Sequence, residues 1–308
     1  MAFGFLLLIL SGLFQGSFGL GYKKYSPFSW AAFWAIYSLL CMLIPILVAW
    51  SMAPDLLHIA TQYQITPFLC GALWGLSAIG FSKAIDKIGM SMVYGISMGI
   101  STIVGSVTPM IMNSSFPKAE EAGFLCIGFV LTIAGVIVIT AAGIKRDGGV
   151  KCSLAGILLA VLSGLGSGAM NIGFSYPLEL SGYSEAAVSA VKWLPVLLGG
   201  GVMSVLWCAG ELSVKHGWGS ITQKGAVKRT GILLLVSIIW YSALLLYGLS
   251  TTMIGGKFIS IGWILFNALA LIVSVIWGII SGEWKNHSKK VLFTGCFLLI
   301  TAWIFVAR

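Results

Sequence analysis

Apolar residues dominate ten stretches of this sequence, and short polar connections separate the stretches. They lie near residues 2–20, 29–51, 66–85, 88–112, 123–143, 152–178, 185–209, 230–250, 255–281 and 290–307. Each is close to the roughly 20 residues that an α-helix needs to cross the hydrocarbon core of a bilayer. The pattern therefore predicts an all-α integral membrane protein with ten transmembrane helices. The first stretch lacks the positively charged start of a signal peptide, so we count it as a retained span.

Lysine and arginine residues concentrate in every second connection. The odd-numbered connections contain fourteen of them, whereas the even-numbered connections and the two termini contain three. Short loops rich in Lys and Arg stay on the cytoplasmic side of a membrane. The charge pattern therefore predicts that the odd-numbered connections are cytoplasmic and that both termini lie outside the cytoplasm.

The composition leaves no room for a soluble domain. Hydrophobic residues make up 58% of the chain and charged residues 9%, against roughly 25% charged in soluble domains. The formal charge of +9 comes from residues between apolar runs, where we expect them to meet lipid headgroups rather than nucleic acid. The six cysteines show no metal-ligand spacing, so we predict free thiols, no metal site and no cofactor.

The chain divides into two halves at the charged connection 145–149. Five spans precede it and five follow, and an odd number of helices per half gives the halves opposite orientations in the bilayer. Traces of duplication agree: the Leu-Ser-Gly-Leu-x-x-Gly pattern of 10–16 recurs at 162–168, and the Trp74…Gly89 spacing recurs as Trp240…Gly255. The pattern predicts two inverted five-helix repeats, residues 1–147 and 148–308, as in secondary transporters.

No catalytic constellation is present. The three histidines lie in loops without metal spacing, and no nucleophile-elbow, phosphate-loop or zinc-protease motif occurs. We therefore predict a carrier rather than an enzyme. A membrane-embedded enzyme and a channel or assembly subunit stay open as alternatives.

Charged residues within spans are costly in lipid and usually mark a functional path or pair with a partner. Lys192 lies two turns into the seventh span, where it either snorkels to the external interface or faces the substrate pathway. Glu179 and Glu185 bracket the adjacent external hairpin. Glu179 is the predicted proton-coupling residue.

Uncharged polar and aromatic residues in the spans suit a neutral polyhydroxy ligand, because amides bond hydroxyls and aromatic faces cover the C–H side of a sugar ring. Interhelical hydrogen bonding is the alternative for the amides, and an interfacial belt is our interpretation of Trp30, Trp50, Trp284 and Trp303. The predicted substrate-binding residues are Gln15, Trp74, Tyr94, Ser101, Asn171, Lys192, Trp240, Tyr241, Trp263 and Asn267.

Several short motifs, in order along nearly the whole chain, resemble the L-rhamnose–proton symporter family within the drug/metabolite transporter superfamily. They include 88–91 with the Gly-Ile pairs at 95 and 99, the segment 104–109, 168–171 with Pro177, 194–201, Trp240-Tyr241 and 282–286. The resemblance implies a drug/metabolite transporter-like fold of ten helices in inverted repeats. It also implies uptake of a sugar with protons across the bacterial inner membrane.

The leading hypothesis is therefore a secondary active transporter for L-rhamnose or a related sugar, driven by protons and working by alternating access. Its partners would be the sugar or a related metabolite, protons and membrane lipids, and it would act as a monomer or homodimer. The alternative within transport is an exporter of a small metabolite or drug by proton antiport.

Overall fold

The structure is a computed structural model that describes residues 2–17, 20, 26–55, 58, 65–148, 153–178, 180–255 and 258–307. Within these ranges the chain folds into ten α-helices and one short 3₁₀-helix. The helices are α1 (Ala2–Ser17), α2 (Trp30–Met52), α3 (Ile65–Ile88), α4 (Met90–Met112), α5 (Ala119–Arg146), α6 (Leu154–Phe174), α7 (Glu185–Val214), α8 (Ala226–Ile254), α9 (Phe258–Ile280) and α10 (Lys290–Ala307), with the 3₁₀-helix at Gly217–Thr222.

The prediction of an all-helical membrane protein is confirmed within the described ranges. Nine of these helices are long and apolar enough to cross a membrane, and α1 is a shorter apolar helix of 16 residues. Several predicted boundaries were wrong by a few residues. Helix α5 extends beyond 123–143 at both ends, with Glu120 and Glu121 in its first turn, and α6 ends at Phe174 rather than at residue 178.

Local sequence sets the helix ends. Ser29, Ser153 and Ser184 each cap a helix N-terminus, and each hydroxyl accepts a hydrogen bond from the backbone N–H three residues later. Gly89 and Gly255 have positive φ angles of 83° and 70°, a conformation that glycine adopts without strain. They separate α3 from α4 and α8 from α9.

The connections gather at two ends of the helix bundle. We call the end with the odd-numbered connections the basic end and the other the opposite end. At the basic end, Ser91 Oγ at the start of α4 donates to Asp147 Oδ2 after α5, at 2.7 Å. At the opposite end, Tyr183 Oη in the α6–α7 connection donates to the carboxylate of Asp55 in the α2–α3 connection, which raises the pKa of Tyr183. The described residues thus follow the alternation that the charge pattern predicts.

Glycines allow α3 and α7 to pack backbone against backbone. A Cβ at Gly199 would collide with the carbonyl of Phe68, and a Cβ at Gly71 with the carbonyl of Val196. Contacts this close need residues without a side chain, as in many membrane helix pairs. The small residues along these two helices therefore fix their separation.

Neighbouring helices repeat in a regular way. Helix α1 packs on α8 and α9, while α6 packs on α3 and α4; α2 packs on α8, while α7 packs on α3. The pairs α2–α7, α4–α9 and α5–α10 also pack together. Helices that are five apart in number thus have equivalent neighbours. For example, the α1–α8 contact becomes the α6–α3 contact, and the α2–α7 contact becomes itself.

Candidate functional site

A cavity of about 840 Å³ extends from the basic end into the middle of the bundle. Helices α1, α2, α3, α4, α6, α7, α8 and α9 contribute to its wall. The charged residues of the wall, Lys83, Asp86, Glu211 and Lys215, all lie at the basic ends of α3 and α7. Deeper in the cavity the described lining is aromatic, aliphatic, hydroxyl or amide.

Six of the ten predicted substrate-binding residues line this cavity: Gln15, Trp74, Tyr94, Trp240, Trp263 and Asn267. The other four, Ser101, Asn171, Lys192 and Tyr241, lie outside its lining. Ser101 is one layer behind the wall, where its hydroxyl accepts from Trp263 Nε1 at 3.2 Å and donates to Ser167 Oγ at 2.9 Å. Tyr241 is buried at 2% exposure.

Aromatic rings form one side of the cavity. The indoles of Trp74 and Trp240 stack with centroids 5.5 Å apart and planes 10° apart, and the ring of Tyr37 meets Trp240 edge-on at 6.1 Å. Trp30 and Trp34 continue this wall along α2. The sequence interpretation missed Tyr37 and Trp34, and it placed Trp30 at the membrane interface. Their spacing at i, i+4 and i+7 was the available signal, because it puts all three on one helix face.

Two amides at the cavity wall, one on half-buried Gln15 and one on buried Asn267, each have a buried polar atom without a hydrogen bond. Neither Gln15 Oε1 nor Asn267 Nδ2 has a hydrogen-bond partner among the described residues. One is an acceptor and the other a donor, so a ligand hydroxyl can donate to the first and accept from the second once the two side chains rotate towards the cavity. A buried polar group without a partner is unfavourable. Among the unpaired side-chain atoms of the described residues, only these two belong to residues of the cavity lining, which favours a polar ligand there.

Asn171 differs from these amides because both ends of its side chain are occupied. Its Nδ2 donates to the Gly105 carbonyl at 2.7 Å, and its Oδ1 accepts from Tyr247 Oη at 3.0 Å. The side chain thereby ties α6 to α4 and α8. This geometry matches the interhelical alternative that the sequence left open for the amides.

Five aromatic rings close the cavity on the side away from the basic end. This group, the opposite-end aromatic layer, consists of Phe174, Trp193, Tyr247, Trp263 and Phe266, all at most 3% exposed. Phe174 stacks on Trp193 at 4.3 Å, and Tyr247 meets Trp263 edge-on at 5.4 Å. Their rings fill the space between α6, α7, α8 and α9, so the layer separates the cavity from the opposite end.

Lys192 lies next to this layer rather than in the cavity. Its Nζ is 5.1 Å from the centroid of the Phe174 ring, a cation–π distance. No carboxylate of the described residues forms an ion pair with it. Glu179, the predicted proton-coupling residue, lies outside the described residues.

A smaller cavity of about 240 Å³ adjoins the first near Tyr94 and carries an ion-pair cluster at its rim. Arg146 contacts the carboxylates of Asp147 at 2.8 Å and Glu283 at 3.0 Å, and its guanidinium lies 5.0 Å from the centroid of the Trp284 ring. The cluster joins the basic end of α5 to the α9–α10 connection. Trp284 is 5% exposed, so it lies inside this packing and not in an interfacial belt.

The carboxylate of Asp147 should contribute to stability in a pH-dependent way. Burial raises its pKa, but hydrogen bonds from Arg146 and Ser91 outweigh burial, and the net pKa is lowered. A lowered folded-state pKa stabilises the fold above the ordinary Asp value of about 3.9, and this contribution is lost as the pH falls through the folded value. We expect Asp147→Asn to lower the melting temperature in detergent at pH 7. The loss in free energy of unfolding should be at most about 1 kcal/mol, because the ion pair is partly solvated. The difference should shrink below about pH 4; a difference that grows on acidification would contradict this account.

Comparisons with known proteins identify similarity to one family along nearly the whole chain. The family described as L-rhamnose-proton symport protein matches residues 2–307. The L-rhamnose-proton symporter of Mannheimia succiniciproducens is 26% identical over 91% of this chain and 90% of its own length. Those of Citrobacter koseri and Shigella sonnei are 25% and 24% identical over the same shares. A solved crystal structure covering 99% of this chain and 96% of its own superposes with a TM-score of 0.66 at 11% identity, and so shares its fold.

Proposed function

We propose a function on one premise: the chain belongs to the L-rhamnose-proton symport protein family. Like its relatives named L-rhamnose-proton symporter, it imports L-rhamnose or a closely related neutral sugar together with protons. The membrane is the bacterial inner membrane. The basic end faces the cytoplasm, both termini lie outside it, and the structure therefore represents an inward-open state.

The observation that carries the sugar assignment is the pair of unused amide atoms in an aromatic-walled cavity. Gln15 Oε1 and Asn267 Nδ2 offer one acceptor and one donor, and the indoles of Trp74 and Trp240 line the same cavity. A deoxy sugar has hydroxyls for the amides and C–H faces for the rings. A charged substrate would find no counter-charge in the deep part of the described lining.

The inverted-repeat architecture, residues 1–147 against 148–308, is part of the proposal. It is supported by the helix neighbours that repeat under a shift of five and by the positive-φ glycines at Gly89 and Gly255. Two halves of this kind can exchange conformations, so that the cavity opens first to one side and then to the other. The drug/metabolite transporter-like fold belongs to the same proposal.

Glu179 remains the proposed proton carrier, because the sequence places it in the connection between α6 and α7, on the N-terminal side of the half-buried cation Lys192. A proton on this carboxylate would be taken up from the external side. A path residue that titrates is what a proton-coupled carrier requires.

The test is uptake of labelled L-rhamnose and a panel of other sugars into proteoliposomes, with and without an inward proton gradient. We expect saturable uptake of L-rhamnose that the gradient stimulates and an uncoupler abolishes. Glu179→Gln should still exchange labelled for unlabelled sugar but lose gradient-driven accumulation. Absence of sugar uptake under every gradient would refute the substrate assignment and favour export of a metabolite by antiport.

A further inference from the structure

We propose that two aromatic gates, related by the internal repeat, close the two ends of the transport path. The opposite-end aromatic layer is the closed outer gate. Trp34 on one side and the Phe81–Tyr94 pair on the other are the separated halves of the inner gate. The inference rests on the alternating-access cycle proposed above and assigns residues to its two closures. Phe81 and Trp34 have no other assignment in the sequence interpretation.

Two pairs of equivalent residues align α3 with α8 in the internal repeat. Trp240 lies 166 positions after Trp74, and Gly255 lies 166 positions after Gly89. The paired tryptophans stack on each other, as equivalent residues near a two-fold axis do. At the same offset, Phe81 corresponds to Tyr247.

The register between α4 and α9 follows from glycine contacts. A Cβ at Gly12 would meet Leu269, and one at Gly16 would meet Val273. In the other half, a Cβ at the equivalent Gly164 and Gly168 would meet residues 100 and 104. Both comparisons give an offset of 169, which makes Tyr94 the counterpart of Trp263.

The two ring pairs have the same geometry. Phe81 and Tyr94 meet edge-on with centroids 5.0 Å apart and planes at 84°. Tyr247 and Trp263 meet edge-on at 5.4 Å and 75°. Equivalent positions in the two halves thus hold aromatic rings in the same mutual arrangement.

A third ring completes each set. Gly200 of α7 packs on Gly71 of α3, and Cys41 of α2 lies beside Ser237 of α8. Ser237 is the counterpart of Gly71 at the offset of 166, so the Cys41–Ser237 contact is equivalent to the Gly200–Gly71 contact. Cys41 is therefore the counterpart of Gly200, and the offset between α2 and α7 is 159. At this offset Trp34 corresponds to Trp193.

The two sets differ in burial, and the difference matches an inward-open state. Trp193 and Tyr247 are 0% exposed and 6.2 Å apart in the closed layer. Trp34, Phe81 and Tyr94 are half-buried and line the open cavity. Closing the basic end would therefore bring the Trp34 ring onto Phe81, in the arrangement that Trp193 and Tyr247 already have.

Thiol crosslinking tests this correspondence without any sugar, so it can succeed or fail independently of the substrate assignment. In a cysteine-free background, Trp34→Cys/Phe81→Cys forms the inner pair and Trp193→Cys/Tyr247→Cys the matched outer pair. A short bifunctional thiol reagent is applied to protein in detergent, and the crosslinked fraction is measured. We expect extensive crosslinking of the outer pair and little of the inner pair.

Weakening one gate should favour closure of the other. We expect Trp263→Ala, placed in the inner-pair protein, to raise its crosslinked fraction several-fold, because the outer layer no longer holds the inward-open state. Trp263→Phe is a milder second variant. Only proteins that elute as a single symmetric peak in size-exclusion chromatography are compared. The proposal is overturned if neither Trp263 variant changes the crosslinked fraction of the inner pair. It is also overturned if the inner pair, without these variants, crosslinks as fully as the outer pair.

Discussion

Replacing Asn267 by leucine should weaken L-rhamnose binding about tenfold without lowering the melting temperature of the protein. The expected loss corresponds to one hydrogen bond to the ligand, roughly 1.4 kcal/mol. The fold should not suffer, because Asn267 Nδ2 has no partner among the described residues and an apolar replacement removes an unsatisfied buried donor. Gln15→Leu should act in the same way through its acceptor, and the double variant should lose about a hundredfold if the two sites are independent.

Asn171→Leu is the matched contrast, because it changes the same side chain in a different setting. It would leave the Gly105 carbonyl and the Tyr247 hydroxyl without the hydrogen bonds that they now make, at a cost of about 1–3 kcal/mol each. We expect Asn171→Leu to lower the melting temperature. The control variant Thr294→Val, on the exposed face of α10, should change neither the melting temperature nor the affinity for L-rhamnose. Intrinsic tryptophan fluorescence gives the affinity and a thermal scan gives the stability. Unchanged affinity in the Asn267 and Gln15 variants would show that the amides do not bind the sugar.

Gly199→Ala should prevent formation of a stable, monodisperse protein. The added methyl group would collide with the backbone carbonyl of Phe68, and backbone cannot rotate away as a side chain does. Separating α3 from α7 would also disturb the packing of Gly71 and Gly75 against α7. Overpacking of this kind costs about 1–3 kcal/mol and more where the structure cannot relax.

Gly210→Ala, on the same helix, is the control for this substitution. A Cβ at Gly210 meets no atom within 4 Å, and alanine has the higher helix propensity. We expect wild-type yield and an equal or slightly higher melting temperature. Equal behaviour of the two alanine variants in fluorescence-detected size-exclusion chromatography would contradict the close backbone packing of α3 and α7.

The number of helices follows from the sequence, but the helix ends follow only in part. Apolar run length decides whether a helix spans a membrane, and alternating Lys and Arg content separates the two ends. The break at Gly89 was placed a few residues too early, at 86–87, because the charged residues Asp86 and Lys87 lie in the last turn of α3. The ends of α5 were missed for a related reason: the helix continues past its apolar stretch into the charged residues Glu120 and Arg146.

The candidate site was predictable in residue type but not in residue function. Amides and aromatics within spans are candidates for a cavity, and Gln15, Asn267 and Trp74 lie in its wall. Asn171 has the same chemistry, and only its contacts with Gly105 and Tyr247 distinguish it. A one-dimensional pattern does not show which polar atoms the neighbouring helices already satisfy.

The most direct test of the central claim is proton movement driven by sugar alone. Proteoliposomes with a trapped pH-sensitive dye, and no imposed proton gradient, receive external L-rhamnose in the presence of valinomycin and potassium. Symport predicts acidification of the lumen that saturates with sugar concentration and is absent with a sugar that the protein does not bind. Alkalinisation would indicate antiport, and sugar entry without any pH change would exclude proton coupling.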